Sequence, residues 1–359
     1  MKLKIQILGI LGGGQLGRMS ALAAARLGIN TIILCPEKDC PASLISTDFI
    51  QADYEDETAL KKLADQCDVI TYEFENIPLK TIEFIQKHKP VYPDHRLLEV
   101  SQNRLKEKQF LNDIGIQTAP WAPCYSENDI KVTLEQWQTP KCIIKTARFG
   151  YDGKGQLLHD NNSSYLESWT SLQTDEAVIE GIIDFDYEIS VIVARDVKGT
   201  IKTYPIGINE HKNHILWKTT APANIPSKIQ SSASKLAHLV AEKIELVGVL
   251  TLELFITKEG NILANEIAPR THNSGHWTIE ACHASQFENH VRAVCGLPLG
   301  STDAFAKAEM INLVGDDISD IPSYLEQDNA HIHLYGKTES REGRKMGHVT
   351  LISNLDNAH

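Results

Sequence analysis

The 359 residues carry 35 Lys and Arg against 47 Asp and Glu, a net charge of -12, with 42% hydrophobic and 23% charged residues. That length allows two or three domains with cores of their own, and that composition belongs to a folded chain rather than a disordered one. The acidic balance argues against nucleic-acid or anionic-membrane binding, so a phosphate site has to be a local cluster of Lys and Arg.

Met1 to Lys4 followed by Ile5 to Leu11 imitates a signal peptide, but Gln6 and the glycines interrupt the apolar stretch. The segment reads better as a buried strand, a tight loop from Gly12 to Gly17, and a helix from Arg18 ended by Gly28. Further strands at Thr31 to Cys35, Phe49 to Gln51 and Val69 to Glu73, with a helix around Thr58 to Gln66, predict an open parallel α/β unit over residues 1–98. A helix from near Ser101 opens a second, α+β unit over 99–295, with a lid of about 117–183. Residues 296–359 read as a small β-rich domain. Seven scattered cysteines without a CxxC pair argue against a disulfide framework and for a reducing cytoplasm. No uninterrupted run of about 18 apolar residues occurs, so no membrane span is expected.

Gly12, Gly14 and Gly17 form a GxGxxG between strand and helix, where backbone amides can accept an anion. A dinucleotide site also needs an acid at the end of the second strand, and Cys35-Pro36 stands there instead. A tight βα turn or a small phosphate ligand explains the motif better. Phe149 to Gln156 places three glycines and Lys154 between two strand signals, the properties of a flap over phosphates or of an ordinary hairpin turn.

If Thr251 to Ile256 and Ile262 to Ile267 form a hairpin turning at Glu259-Gly260, Glu253 faces Glu266. Alternation then puts Leu250, Leu252, Leu254, Ile256, Leu263 and Ile267 on the core side. Opposed like charges are destabilising unless a cation lies between them, and magnesium accepts carboxylate oxygens together with phosphates. Asn265 would face the core unless a bulge turns it toward the metal. Arg270, His272, Asn273 and Ser274 follow in a loop dense in donors, suited to a developing anion. No carboxylate or cysteine completes a zinc set with His272 and His276. Lys337 and the run Arg341 to His348 make a basic cluster in an acidic chain, either a phosphate grip or a solvated turn.

Taken in order, Lys145, the glycine flap, Ala177 to Glu180, Glu188, Glu253 and Asn265-Glu266 resemble the ATP-grasp superfamily. Within it, the blocks GGGQLG at Gly12–Gly17, YEFENIP at Tyr72–Pro78, YDGKGQ at Tyr151–Gln156, NEIAPR at Asn265–Arg270, HNSGHW at His272–Trp277 and GRKMGH at Gly343–His348 resemble the N5-carboxyaminoimidazole ribonucleotide synthetase family. The resemblance implies an N-terminal Rossmann-like domain, a central ATP-grasp domain with a mobile lid and a small C-terminal domain. It implies ligation of bicarbonate to 5-aminoimidazole ribonucleotide at the expense of ATP, through carboxyphosphate, in purine biosynthesis.

By the same resemblance, ATP would be held by Arg104, Lys145, Gly150, Tyr151, Asp152, Gly153, Lys154, Gly155, Gln156, Glu180, Gly181, Ile182, Ile183, Glu188, His211, Asn265 and Glu266. Glu253 and Glu266 would hold two magnesium ions. The ribonucleotide and bicarbonate would meet Gln15, Glu73, Tyr151, Asp152, Arg270, His272, Asn273, Ser274, Lys337 and Arg344, with Arg270, Lys154, His272 and Asn273 nearest the chemistry. Asn103 stands where the family more often has an acid, a departure expected to be harmless. A cytoplasmic homodimer follows from the resemblance, as does a transient link to the mutase that consumes the product. The nearest rival is a formate-using glycinamide ribonucleotide transformylase. A nicotinamide dehydrogenase would leave Glu253, Glu266 and the flap without work, and a nucleotide-sensing module would not need the Arg270–Trp277 loop.

Overall fold

The computed structural model of the chain describes residues 5–150 and 153–355; Tyr151 and Asp152 of the flap lie outside the described residues. Strands β1 (Ile7–Leu11), β2 (Asn30–Cys35), β3 (Asp48–Gln51) and β4 (Val69–Tyr72) form a parallel sheet in the order β3-β2-β1-β4. β1, β2 and β4 are largely apolar because both faces are covered, by helix Gln15–Arg26 on one side and Glu57–Gln66 on the other, whereas the edge strand β3 buries only Ile50. Gly28 ends the first helix in the left-handed conformation, at φ +72°.

Strands β5 (Trp121–Cys124), β6 (Cys142–Thr146), β7 (Gln156–His159) and β8 (Ala177–Glu180) make a separate antiparallel sheet ordered β5-β8-β6-β7. The remaining strands are β9 (Phe185–Arg195), β10 (Ile201–Thr203), β11 (Gly207–Lys212), β12 (Ile215–Ala221), β13 (Gly248–Thr257), β14 (Ile262–Ala268), β15 (Ala306–Val314), β16 (Ala330–Leu334) and β17 (Lys345–Asn354). They build a nine-stranded sheet ordered β14-β13-β9-β11-β12-β15-β17-β16, with β10 on β9. The C-terminal strands thus extend the central sheet through β12–β15 pairing, and Lys345 at the start of β17 lines the same cavity as Glu253 and Glu266 of the β13–β14 hairpin. Helix Gln286–Val294 sends Phe287, Val291 and Val294 into the same apolar cluster as Leu16 and Met19, joining the first unit to the central one. Among the described residues no helix is long and apolar enough to cross a membrane.

The β13–β14 hairpin departs from expectation in a way that matters for the site. Glu253 does pair with Glu266, but the turn has three residues, Lys258, Glu259 and Gly260, not two. The Thr257 amide donates to the Asn261 carbonyl at 3.0 Å and Gly260 sits at φ +82°, the left-handed position that a three-residue hairpin loop requires. The extra turn residue is absorbed by a bulge, since Leu254 pairs with Ala264 and Asn265 is left over. Ala264, not Leu263, therefore joins Leu250, Leu252, Leu254 and Ile256 in the core beneath helix Ser227–Lys243, and Asn265 is freed from the core face.

Candidate active site

Two clefts meet at the bulged hairpin. The first, about 430 Å³, lies between the glycine turn of the N-terminal unit and the loop after β14; Gln15, Glu73, Glu75, Gly150 and Arg270 are among its walls. The second, about 380 Å³, lies between the small sheet and the large one, lined by Lys145, Gly153, Lys154, Gln156, Glu188, His211, Glu253 and Asn265. Arg104, Glu266, His272, Asn273 and Lys345 line both. A molecule in one cleft can therefore react with a molecule in the other at this shared wall.

Beside that wall, three oxygen-bearing side chains, Glu253, Asn265 and Glu266, line the second cleft. Glu253 is 7% exposed, and burial first, then Glu266 and Glu188, push its carboxyl well above the ordinary range. Burial acts the same way on Glu266, but Arg104, with Nη1 3.0 Å from Glu266 Oε2, outweighs it and holds the carboxyl down. Asn265 Oδ1 is buried with no hydrogen-bond partner, as are both polar atoms of the Asn273 amide. Such orphans are costly unless something accepts them. Two carboxylates and an unpartnered amide oxygen form a hard-oxygen set that fits magnesium, with no nitrogen or sulfur donor required.

Each arm of the site is held from behind. Arg270 pairs through Nε with Glu75 Oε2, and Glu75 is drawn down to about 2 because Arg270 overcomes the effect of burial. His272 is kept neutral, its pKa lowered to about 3 by burial and then by Arg270 and Lys345. The Ser274 amide points at His272 Nδ1 at 3.3 Å, which leaves the ring proton on Nε2, 3.0 Å from Glu253 Oε1. Ser274 itself is fully buried behind His272, linked to Ser190 at 2.7 Å; it lines neither cleft and supports the imidazole instead. His276 is likewise fully buried, 4.6 Å from the ring of His348.

Lys145 and Lys108 grip Glu180 from two sides at 2.8 and 2.9 Å, and together they overcome burial to hold that carboxyl at about 2. The Glu180 side chain is thus engaged within the protein. Gly181 and Ile182 line a neighbouring depression with Pro120, Trp137 and Asp184 rather than the second cleft. His211 Nδ1 stands 3.2 Å from Glu188 Oε2 on the far wall. Gly155 sits at φ +71°, where a side chain would also strike Thr146 Oγ1 at 2.6 Å. The flap needs glycine there.

Lys337 and Arg344 line neither cleft; Lys337 Nζ donates to the Lys345 carbonyl at 2.7 Å and Arg344 to the Glu339 carbonyl at 3.0 Å. Burial, then Arg344, lowers Lys337 to about 8, while Glu73 opposes the shift, so the ammonium lies within electrostatic reach of the first cleft. The glycine turn has found its anion inside the protein. Gly14 N donates to Glu73 Oε1 at 2.5 Å and Gly17 N to Oε2 at 2.9 Å, which displaces the reading of a bound phosphate there.

Sequence reasoning missed Lys345, Glu75, Glu107 and the stacked pair Phe185 and Phe255, whose rings lie 4.6 Å apart on the second cleft. Lys345 was visible inside the basic run; the others depend on partners far along the chain. Asn103 caps helix Arg104–Asp113 as an acid would, accepting from Leu105 and Lys106, and its amide also reaches Glu176 Oε2 at 2.7 Å.

Residues 5–102 match the ribonucleotide synthetase preATP-grasp domain, 109–287 the ATP-grasp domain, and 308–358 the phosphoribosylaminoimidazole carboxylase C-terminal domain. A Brucella melitensis N5-carboxyaminoimidazole ribonucleotide synthase is 47% identical over 347 residues, 96% of each chain. The Staphylococcus aureus N5-carboxyaminoimidazole synthetase solved with ADP superimposes with a TM-score of 0.93 at 38% identity, over 99% of this chain and 95% of that one. An Aspergillus clavatus N5-carboxyaminoimidazole synthase solved with ADP and 5-aminoimidazole ribonucleotide superimposes with a TM-score of 0.89 at 29% identity, over 98% of this chain and 94% of that one. With all three domain models, full-length relatives and full-length folds in agreement, this chain belongs to the N5-carboxyaminoimidazole ribonucleotide synthetase family of ATP-grasp ligases.

Proposed function

We propose that this chain carboxylates 5-aminoimidazole ribonucleotide with bicarbonate and ATP, releasing ADP, phosphate and N5-carboxyaminoimidazole ribonucleotide, with ATP in the second cleft and the ribonucleotide in the first. The observation that carries the assignment is the shared wall of Arg104, Glu266, His272, Asn273 and Lys345, where the two clefts open onto one another. The Phe185–Phe255 pair and Ile143 offer apolar flanks for a purine, and by the family resemblance the Gly181–Ile183 backbone would meet its edge from the neighbouring depression. Glu188 and His211 face the sugar, and Arg104, Lys145 and Lys154 the phosphates. Glu253 and Glu266, joined by Asn265, would hold the two magnesium ions that neutralise the triphosphate.

Bicarbonate, oriented by the fixed fork of Arg270, attacks the γ-phosphorus; the bond to the bridging oxygen breaks and ADP leaves. The exocyclic amine then captures the carboxyl carbon, directly or as carbon dioxide held in the closed site, and phosphate departs with the amine proton. Asn273 donates a hydrogen bond without adding charge, and neutral His272 gives its one ring proton to Glu253 and so orients that carboxyl beside the reacting groups. Gln15 and Glu73 would position the ribonucleotide from the N-terminal unit, and Lys337 and Arg344 would reach its phosphate from the rim. The flap excludes water while carboxyphosphate exists. The resemblance also supports a cytoplasmic homodimer that meets the product-consuming mutase only transiently, which sedimentation with and without that enzyme tests. For the reaction itself, ADP release that requires both bicarbonate and the ribonucleotide supports the assignment, and release that ignores the ribonucleotide refutes it.

A further inference from the structure

Cys35 ends β2, and Cys40 returns after the largely exposed stretch Pro36–Asp39 to lie beneath the glycine turn. A Cβ placed on Gly13 would stand 2.2 Å from Cys40 Sγ and 2.9 Å from Cys35 Sγ, so both sulfurs bracket one point of the backbone. Two sulfurs so placed about one point are no more than about 5 Å apart. The segment after Cys40 is tied to the same turn, since the Ala42 amide donates to the Gly13 carbonyl at 2.9 Å. On the opposite side of the turn, Gly14 and Gly17 hold Glu73 on the wall of the first cleft. The sulfur pair and the cleft are thus separated by the thickness of one glycine turn.

We propose that Cys35 and Cys40 are a reversible dithiol–disulfide site, oxidised by a peroxide, whose closure distorts the glycine turn and weakens the ribonucleotide cleft. The Cys40 thiolate attacks one peroxide oxygen: an S–O bond forms, the O–O bond breaks and the departing hydroxide leaves as water. Cys35, held protonated by Cys40 and then by burial, attacks the Cys40 sulfur as its proton passes to the departing hydroxide: the S–S bond forms, the S–O bond breaks and a second water leaves. Two thiols lose two electrons and two protons, and the peroxide is reduced to two waters. A dithiol reductant reverses the step.

Cys40 is suited to begin. Donation from Cys35 is the leading cause that lowers its thiol to about 6, whereas burial raises Cys67, Cys142, Cys282 and Cys295 to about 12 and Cys124 to about 11. Closing the bond to about 2.0 Å draws Cys40–Ala42 toward β2, and Gly13 follows through its bond to Ala42. The Gly14 amide then leaves Glu73. The effect on turnover rests on the assignment of Gln15 and Glu73 to the ribonucleotide; the disulfide itself does not.

The full chain is treated with hydrogen peroxide, its free thiols are alkylated, and the digested peptides are weighed alongside steady-state kinetics. The expected result is a Cys35–Cys40 crosslink formed before any other cysteine reacts, with the KM for the ribonucleotide raised about tenfold, the KM for ATP unchanged, and both effects reversed by dithiothreitol. The double variant Cys35→Ser, Cys40→Ser should keep basal turnover and lose the peroxide effect. A pair that stays reduced while other cysteines react overturns the site; a crosslink with unchanged KM overturns its coupling to the cleft. Absence of ribonucleotide-dependent turnover in untreated protein would instead count against the proposed function, and the peptide masses still decide the site.

Discussion

Glu253 and Glu266 face one another across β13 and β14, yet each meets a different arm of the protein: His272 Nε2 stands 3.0 Å from Glu253 and Arg104 Nη1 3.0 Å from Glu266. The pair is therefore electrostatically unequal, with Glu253 pushed up and Glu266 held down. Replacing Glu253 with Gln removes one of two opposed carboxylates, which should stabilise the metal-free protein by roughly 0.2–1 kcal/mol. If the pair holds magnesium, magnesium and ADP should raise the melting temperature of the wild type and not that of the variant. Thermal unfolding with and without magnesium checks both signs.

Arg270→Lys keeps the charge but loses the planar fork that Glu75 orients. Turnover should fall about 10²–10³-fold, the scale of losing a positioned donor at a developing anion, with little change in melting temperature. Single-turnover ADP formation isolates that effect from product release.

Glu107 is 2% exposed, accepts from the Ile267 amide at 2.5 Å, and is raised to about 8 by burial and then by Glu266. A carboxyl raised in the folded state favours folding while protonated, so its stabilisation is full below the ordinary value of 4.5 and is lost as pH rises to about 8. Glu107→Gln keeps the acceptor and cannot ionise. Its melting temperature should match the wild type near pH 4.5, exceed it increasingly toward pH 8, and run parallel above that. A constant difference across the range would contradict the assignment.

Asn103→Asp retains the helix cap but sets a carboxylate against Glu176, whose Oε2 now accepts from the Asn103 amide. Loss of that bond should destabilise the protein by about 1 kcal/mol. Urea denaturation of the two proteins measures it, and the double variant Asn103→Asp, Glu176→Gln should recover most of the loss.

The opposition of Glu253 and Glu266 was legible because strand alternation counts outward from apolar residues on one face, a signal local to a single hairpin. The bulge that frees Asn265 was not, because whether a hairpin closes with two or three residues depends on backbone geometry at Gly260 as well as on composition. The parallel N-terminal sheet announced itself through apolar runs and turn signals. The role of Glu73 as the internal anion of the glycine turn did not, since Gly14 and Glu73 meet only through the parallel pairing of β1 and β4. Glu75 and Glu107 escaped for the same reason: each gains its meaning from partners far along the chain, Arg270 and the Ile267 amide. The continuity of β12 with β15 is a long-range pairing that residues 296–359 do not reveal by themselves.

The most direct test of the account is ADP release from magnesium-ATP and bicarbonate, with and without 5-aminoimidazole ribonucleotide, for the wild type and Glu266→Gln. Release should depend on the ribonucleotide and fall at least about thousandfold in the variant, because Glu266 stands on the wall shared by both clefts. Release that is indifferent to the ribonucleotide, or a variant that turns over like the wild type, would contradict it.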